Sequence, residues 1–167
     1  MEAVRSLFQF EDFTIVNFAY KYAPPKEPAN PKDFIDKYLI DIDFAFQKRG
    51  DKMFLLCKVS INQIDNPLPG YSIFAEGFGV FDPELGSHLK GDKHVVSIQY
   101  PALSSALNHL RNVITTVTSQ GPWGAYFLPM IVGKDLFKKK MEILDHIRKE
   151  SKDEKNPNPP VAEDLID

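Results

Sequence analysis

Apolar and polar residues alternate with a period of two through Tyr38-Leu39-Ile40-Asp41-Ile42-Asp43-Phe44-Ala45-Phe46. Tyr38, Ile40, Ile42, Phe44 and Phe46 share one face, while Asp41, Asp43 and Gln47 share the other. That is the pattern of a half-buried strand with one wet face. Gln47-Lys48-Arg49-Gly50-Asp51 reads as a hairpin turn in which the glycine supplies a positive φ. The return strand is expected over residues 52–64, with Met53, Leu55, Cys57, Val59 and Ile61 on one face. Asn66-Pro67-Leu68-Pro69-Gly70 makes the next turn, and residues 71–81 form another strand, in which Phe74, Phe78 and Val80 alternate against Gly77 and Gly79. Upstream, residues 7–22 are the first periodic run. An unbroken alternation there puts Phe13, Ile15 and Asn17 on one face and Thr14, Val16, Phe18, Tyr20 and Tyr22 on the other. Its β-branched and aromatic content predicts a strand. Pro24, Pro25, Pro28 and Pro31 then force extended backbone without amide donors, so residues 24–31 are expected to be a crossover loop. Together these runs predict an antiparallel meander of four strands.

Beyond residue 100 the period changes. Leu103, Leu107, Leu110, Ile114 and Val117 lie on one face of a helix opened by Pro101 and closed at Gly121. Ser104, Ser105, Asn108, Arg111, Asn112 and Thr115 lie opposite. A second helix is expected over residues 134–150, with Leu136, Phe137, Met141, Leu144 and Ile147 apolar. Strands first and helices last predict an α+β fold, a four-stranded antiparallel sheet with two helices packed on one side. Residues 1–150 form the expected domain. Residues 151–167, with Asn156-Pro157-Asn158-Pro159-Pro160 and five acids, are expected to be a disordered acidic, proline-rich tail.

Charge sharpens this division. The chain of 167 residues has 20 basic and 23 acidic residues, net −3, and the expected tail carries the whole imbalance. A neutral body argues against nucleic acid as a partner. No apolar run approaches the length of a membrane span and the N-terminus lacks a signal-peptide core, so a cytoplasmic location without membrane insertion is expected. Cys57 is the single cysteine, so no internal disulfide is available.

Familiar catalytic motifs are missing: no nucleophile elbow, phosphate-binding loop, zincin motif or dinucleotide fingerprint occurs. The Gly77-Phe78-Gly79 triplet sits inside a strand pattern and reads as a sheet bend. His88 and His94 read as polar-loop residues, and His109 and His146 as helix-surface residues without a partner at metal-ligand spacing. Asp41 and Asp43 are either an acid and base on a strand face or a solvated face. No catalytic residue, metal or cofactor is therefore assigned. Apolar excess is what remains. Thirteen Phe, six Tyr and one Trp are many for a domain of this size, and residues 121–131, from Gly121 through Trp123, Tyr126 and Phe127 to Ile131, carry no charge. Such a loop either folds into the core or an oligomer interface, or lines an apolar surface for an extended peptide.

The order of these motifs resembles the SecB family of bacterial export chaperones over residues 8–150. The stretch Leu110-Arg111-Asn112-Val113-Ile114-Thr115-Thr116-Val117-Thr118-Ser119-Gln120-Gly121 resembles the family's first helix and the loop after it. Leu128-Pro129-Met130-Ile131-Val132-Gly133-Lys134-Asp135-Leu136-Phe137 resembles its leucine-proline segment entering the second helix. Ile40-Asp41-Ile42-Asp43, Phe8-Gln9-Phe10 and Ala23-Pro24 also fit. The resemblance implies a homotetramer, a dimer of dimers with first helices buried between sheets. It implies an ATP-independent holdase, not an enzyme, that binds unfolded client polypeptides in apolar grooves between the crossover loop, the second helix and the sheet. Phe34, Ile40, Ile42, Phe44, Trp123, Tyr126, Phe127 and Phe137 stand at or near such positions. Phe74 and Glu76 match the position at which the family docks its SecA-type translocase motor, although Phe18 and Tyr22 stand where acids would be expected. Some members instead guard an antitoxin. A toxin–antitoxin role, or a small-ligand or enzymatic α+β domain with Asp41 or Asp43 as base, remains an alternative.

Overall fold

The hairpin signalled by Gly50 closes as a two-residue turn between two ten-residue strands. A computed structural model describes residues 10–82 and 98–153, with the side chains of 147–153 left aside. The expectations for Phe8, Gln9, His88, His94, the Ile147 side chain and the chain beyond residue 153 fall outside the described residues. The elements are β1 (Asp12–Ala23), α1 (Lys32–Ile35), β2 (Ile40–Arg49), β3 (Lys52–Ile61), β4 (Gly70–Phe81), α2 (Tyr100–Thr118) and α3 (Gly133–Asp153).

All neighbouring strands are antiparallel, in the order β1-β4-β3-β2. A simple meander would place β1 beside β2. The proline-rich crossover instead carries the chain from one edge of the sheet to the other, and includes the short α1, which the prolines concealed. The domain is α+β, with an amphipathic helix on one face of a four-stranded antiparallel sheet.

Leu55, Cys57, Val59 and Ile61 of β3 and Tyr71, Ile73 and Ala75 of β4 are buried, as are Leu103, Leu107, Leu110 and Ile114 of α2. Each fully buried aliphatic side chain here contributes roughly 1.5–3 kcal/mol. Gly77 and Gly79 admit the rings that cover β4. A Cβ on Gly77 would lie 2.5 Å from Cζ of Phe13 and 3.2 Å from Cδ2 of Leu110, and one on Gly79 would lie 2.4 Å from Cε1 of Phe10. These glycines therefore mark a close approach rather than a bend.

β1 departs from the single alternation its sequence suggests. Ile15 faces Gly77 and Asn17 faces Glu76, so Val16 is an extra residue, and it is 58% exposed. One inserted residue exchanges the two faces of everything that follows. Phe18, Tyr20 and Tyr22 consequently lie opposite Ala75, Ile73 and Tyr71, on the same side as Phe13 and Ile15.

The second sheet face carries half-exposed Phe54, Leu56, Phe74, Phe78 and Val80. Phe54 and Phe78 stack with ring centroids 5.5 Å apart, and Lys58 pairs with Glu76 at 3.4 Å. The residues from Val132 onward form a second compact unit. Its helix α3 extends to Asp153, three residues into the expected tail, with Met141 and Ile143 exposed and a Lys138–Glu142 pair at 3.9 Å. No described helix is long and apolar enough to cross a membrane.

Candidate functional site

The uncharged segment after α2 is held in place by hydroxyls and a guanidinium. Thr118 is buried at the end of α2, where its hydroxyl donates to the carbonyl of Ile114 at 2.7 Å and accepts the amide of Tyr126 at 2.8 Å. One turn back, Thr115 donates to the carbonyl of Tyr126 at 3.1 Å. Arg111 donates from Nε to the carbonyl of Leu128 at 2.9 Å and from Nη2 to that of Pro129 at 3.1 Å, and also bonds Asn108. Thus Thr115 and Arg111, which helical spacing assigns to the polar face, are the fasteners of residues 126–129. The sequence offers only a weak signal for them, a Thr and an Arg four apart before a segment whose carbonyls need partners.

Two tyrosines complete the attachment. Tyr71 accepts the amide of Trp123 at 3.0 Å and donates to the carbonyl of Gly124 at 3.0 Å. Tyr38 donates to the carbonyl of Pro69 at 2.8 Å and accepts the amide of Tyr71 at 2.9 Å. Burial raises the pKa of both phenols above the usual value, so each remains a hydroxyl able to donate and accept at neutral pH. Gly70, with φ of +106°, lies beneath them: a Cβ there would lie 1.9 Å from the Tyr38 hydroxyl and 2.2 Å from Cζ3 of Trp123.

An aromatic wall results. Trp123 stacks on Phe34 of the crossover at 5.9 Å and meets Tyr22 edge-on at 5.7 Å and Tyr71 at 6.5 Å. Tyr38 stacks on Tyr126 at 6.0 Å. Of the residues singled out by sequence, Phe34, Trp123 and Tyr126 are thereby brought into one region. Trp123 and Phe34 are half-buried, whereas Tyr126 is only 2% exposed and its phenol is pushed up to about 12, chiefly by burial, with Tyr38 and Asp36 adding to it. Phe127, next in sequence, is 71% exposed, and Met130 is 87% exposed. Ile40, Ile42 and Phe44 lie along β2 on the face turned toward α2, with Phe44 buried and the other two half-buried. Phe137 belongs to α3, in the second unit, and is only 9% exposed. Phe74 and Glu76 lie on the opposite sheet face, Glu76 in its pair with Lys58. Asp41 and Asp43 are also on that face and exposed, with Asp43 accepting the amide of Phe44 at 2.9 Å. Sequence reasoning missed Tyr22, Tyr38 and Tyr71 as parts of the wall. Tyr22 was hidden by the bulge at Val16, and the other two resemble ordinary strand aromatics.

No protein-family model matches the chain, and no curated protein matches it. Among solved structures, it is similar to a SecB-like chaperone from Mycobacterium tuberculosis, determined in complex with a ChAD peptide from the HigA1 antitoxin. Identity is 12%, covering 74% of this chain and 90% of that one, with a TM-score of 0.51. A protein of unknown function from Streptococcus agalactiae is 9% identical over 72% of this chain and 94% of that one, with a TM-score of 0.35. The likeness to the chaperone shows that this chain has a SecB-like fold.

Proposed function

We propose that this protein is an ATP-independent holdase that binds unfolded or non-native polypeptide on the apolar surface formed by the crossover and the segment after α2. The observation that carries this reading is the exposed, uncharged segment itself. Phe127 and Met130 stand out from a backbone fastened to α2, beside the half-buried stack of Trp123 on Phe34. A flexible apolar loop would collapse onto the core. Fastening the backbone keeps these side chains outward, and preorganisation lowers the ordering cost of binding. Area burial supplies affinity at about 25 cal/mol per Å² without a catalytic group. Asp41 and Asp43 are exposed on the opposite sheet face, away from this surface.

Two further parts of the reading rest on the resemblance. The chain assembles as a homotetramer in which linked grooves raise avidity for one long client. Phe74 and Glu76 dock a translocase motor if the role is export. The antitoxin peptide in the M. tuberculosis complex supports a second reading, a chaperone dedicated to one client of a toxin–antitoxin system.

The test is light scattering. An enzyme unfolded in guanidinium is diluted into buffer without ATP, with and without the full chain. Suppression of aggregation at near-stoichiometric protein is expected, and an unchanged trace overturns the holdase. Suppression for several unrelated substrates favours the general role, and for none but an antitoxin peptide the dedicated one. Sedimentation as a 19.0 kDa species at micromolar concentration would refute the tetramer.

A further inference from the structure

The geometry points to strand addition as the way an extended, uncharged polypeptide segment docks on residues 125–127, a mode that rests on the polypeptide-binding reading above. The carbonyls of Tyr126 and Leu128 are taken by Thr115 and Arg111 of α2, and Arg111 also takes that of Pro129, where the pattern ends. The amide of Tyr126 is taken by Thr118. Tyr126 is fastened through both its amide and its carbonyl, and Tyr126 and Leu128 are buried while Phe127 between them is exposed. That is the alternation of an extended strand, in which the N–H and C=O of the intervening residues point the opposite way. Those intervening residues are Ala125 and Phe127. Among the described residues, no hydrogen bond engages the backbone N–H or C=O of either. Phe127 is 71% exposed, so these groups are within reach of a partner.

α2 thus acts as a neighbouring strand whose hydrogen-bonding groups are side chains, leaving the segment with one free edge. Two donor–acceptor pairs two residues apart repeat at about 6.6 Å, the spacing a second strand presents. An added strand would satisfy both pairs through main-chain groups, which every sequence carries, and would lay alternate side chains beside Phe127. No Asp, Glu, Lys or Arg occurs in residues 121–131, so a charged side chain laid against the Phe127 ring would lose hydration to an apolar surface. This selects an uncharged segment.

The test uses the full chain and a fluorescein-labelled ten-residue peptide of alternating leucine and threonine. Two versions carry N-methyl groups, one on every leucine and the other on every threonine. Strand addition predicts that one version loses about tenfold or more in affinity while the other stays within about twofold, because alternate amides face the ledge. Equal affinity for all three peptides, or an equal loss in both methylated ones, overturns strand addition while leaving the binding reading intact. Failure of the unmethylated peptide to bind overturns both. On the protein side, Ala125→Pro removes one donor and is expected to weaken the unmethylated peptide about three- to tenfold. If that substitution instead lowers the sedimentation coefficient of the chain alone, a second copy occupies the edge and the assignment fails.

Discussion

Asn62 and Tyr38 together hold the connection between β3 and β4. The Asn62 backbone is left-handed, with φ of +54°, and its buried side chain donates to the carbonyls of Leu68 and Tyr71 at 2.8 Å while accepting the amide of Leu68 at 2.9 Å. Asparagine tolerates that φ better than other non-glycine residues and carries both a donor and an acceptor. Asn62→Leu strands three polar groups in strained backbone and is expected to lower unfolding free energy by about 2–4 kcal/mol in urea titrations. Two other buried groups set a pH dependence. The thiol of Cys57 is pushed up to about 12 by burial, with Asp43 adding to it, and the phenol of Tyr126 likewise to about 12. Unfolded, they would ionise near 9.0 and 10.0. Between these values the folded chain retains protons that the unfolded chain releases. Their stabilisation is complete below pH 9 and declines as pH rises toward 12. The urea midpoint should therefore fall over that range, and less steeply in Tyr126→Phe above pH 10. An identical slope in the two proteins would contradict the burial of this phenol.

At the scale of elements, the segment after α2 has two sides with different roles. Trp123 rests among Phe34, Tyr22 and Tyr71 and belongs to the packing of the crossover. Phe127 projects outward. Trp123→Ala is expected to cost about 2–4 kcal/mol in thermal or urea unfolding, whereas Phe127→Ala should cost under about 1 kcal/mol. Phe127→Ala should nevertheless weaken client binding about tenfold or more in a titration, since exposed aromatic anchors dominate interfaces. The reverse ranking would exchange their roles. Tyr71→Phe removes the hydroxyl that secures Trp123 and Gly124. It should cost about 1–3 kcal/mol and shift the fluorescence of the single tryptophan to longer wavelength as the indole becomes wetter.

For the molecule as a whole, the two sheet faces differ in what their side chains support. Leu55 is fully buried under α2, while Phe78, paired with Leu56 on the other face, is half-exposed and stacks only on Phe54 among the described rings. Leu55→Ser places a hydroxyl in the core and is expected to cost about 4 kcal/mol or more. Phe78→Ser should cost about 1–2 kcal/mol by the same urea titration. Near-equal losses would mean that the second face is covered as fully as the first.

Local period was enough to read β2, β3, β4 and the buried stripe of α2 from Leu103 to Ile114, although Val117 is only half-buried and Thr118 is buried instead. β2, β3 and α2 each have a wetter and a dry side, which alternation along the chain records directly; in β4 the glycines face the core and Phe74, Phe78 and Val80 the half-exposed side, so its period was legible but not which face is buried. The uncharged composition of residues 121–131 was equally plain. Three things were beyond such a reading because they depend on residues far apart in sequence. β1 pairs with β4 because the crossover spans the sheet, and nothing in the alternation of an edge strand names its partner. The bulge at Val16 redirects Phe18, Tyr20 and Tyr22, since one extra residue reverses every side chain after it. Residues 121–131 looked either buried or exposed as a block. They became both when Thr118 and Thr115 captured the amide and carbonyl of Tyr126 and Arg111 the carbonyls of Leu128 and Pro129, placing Tyr126 in the core and leaving Phe127 in solvent.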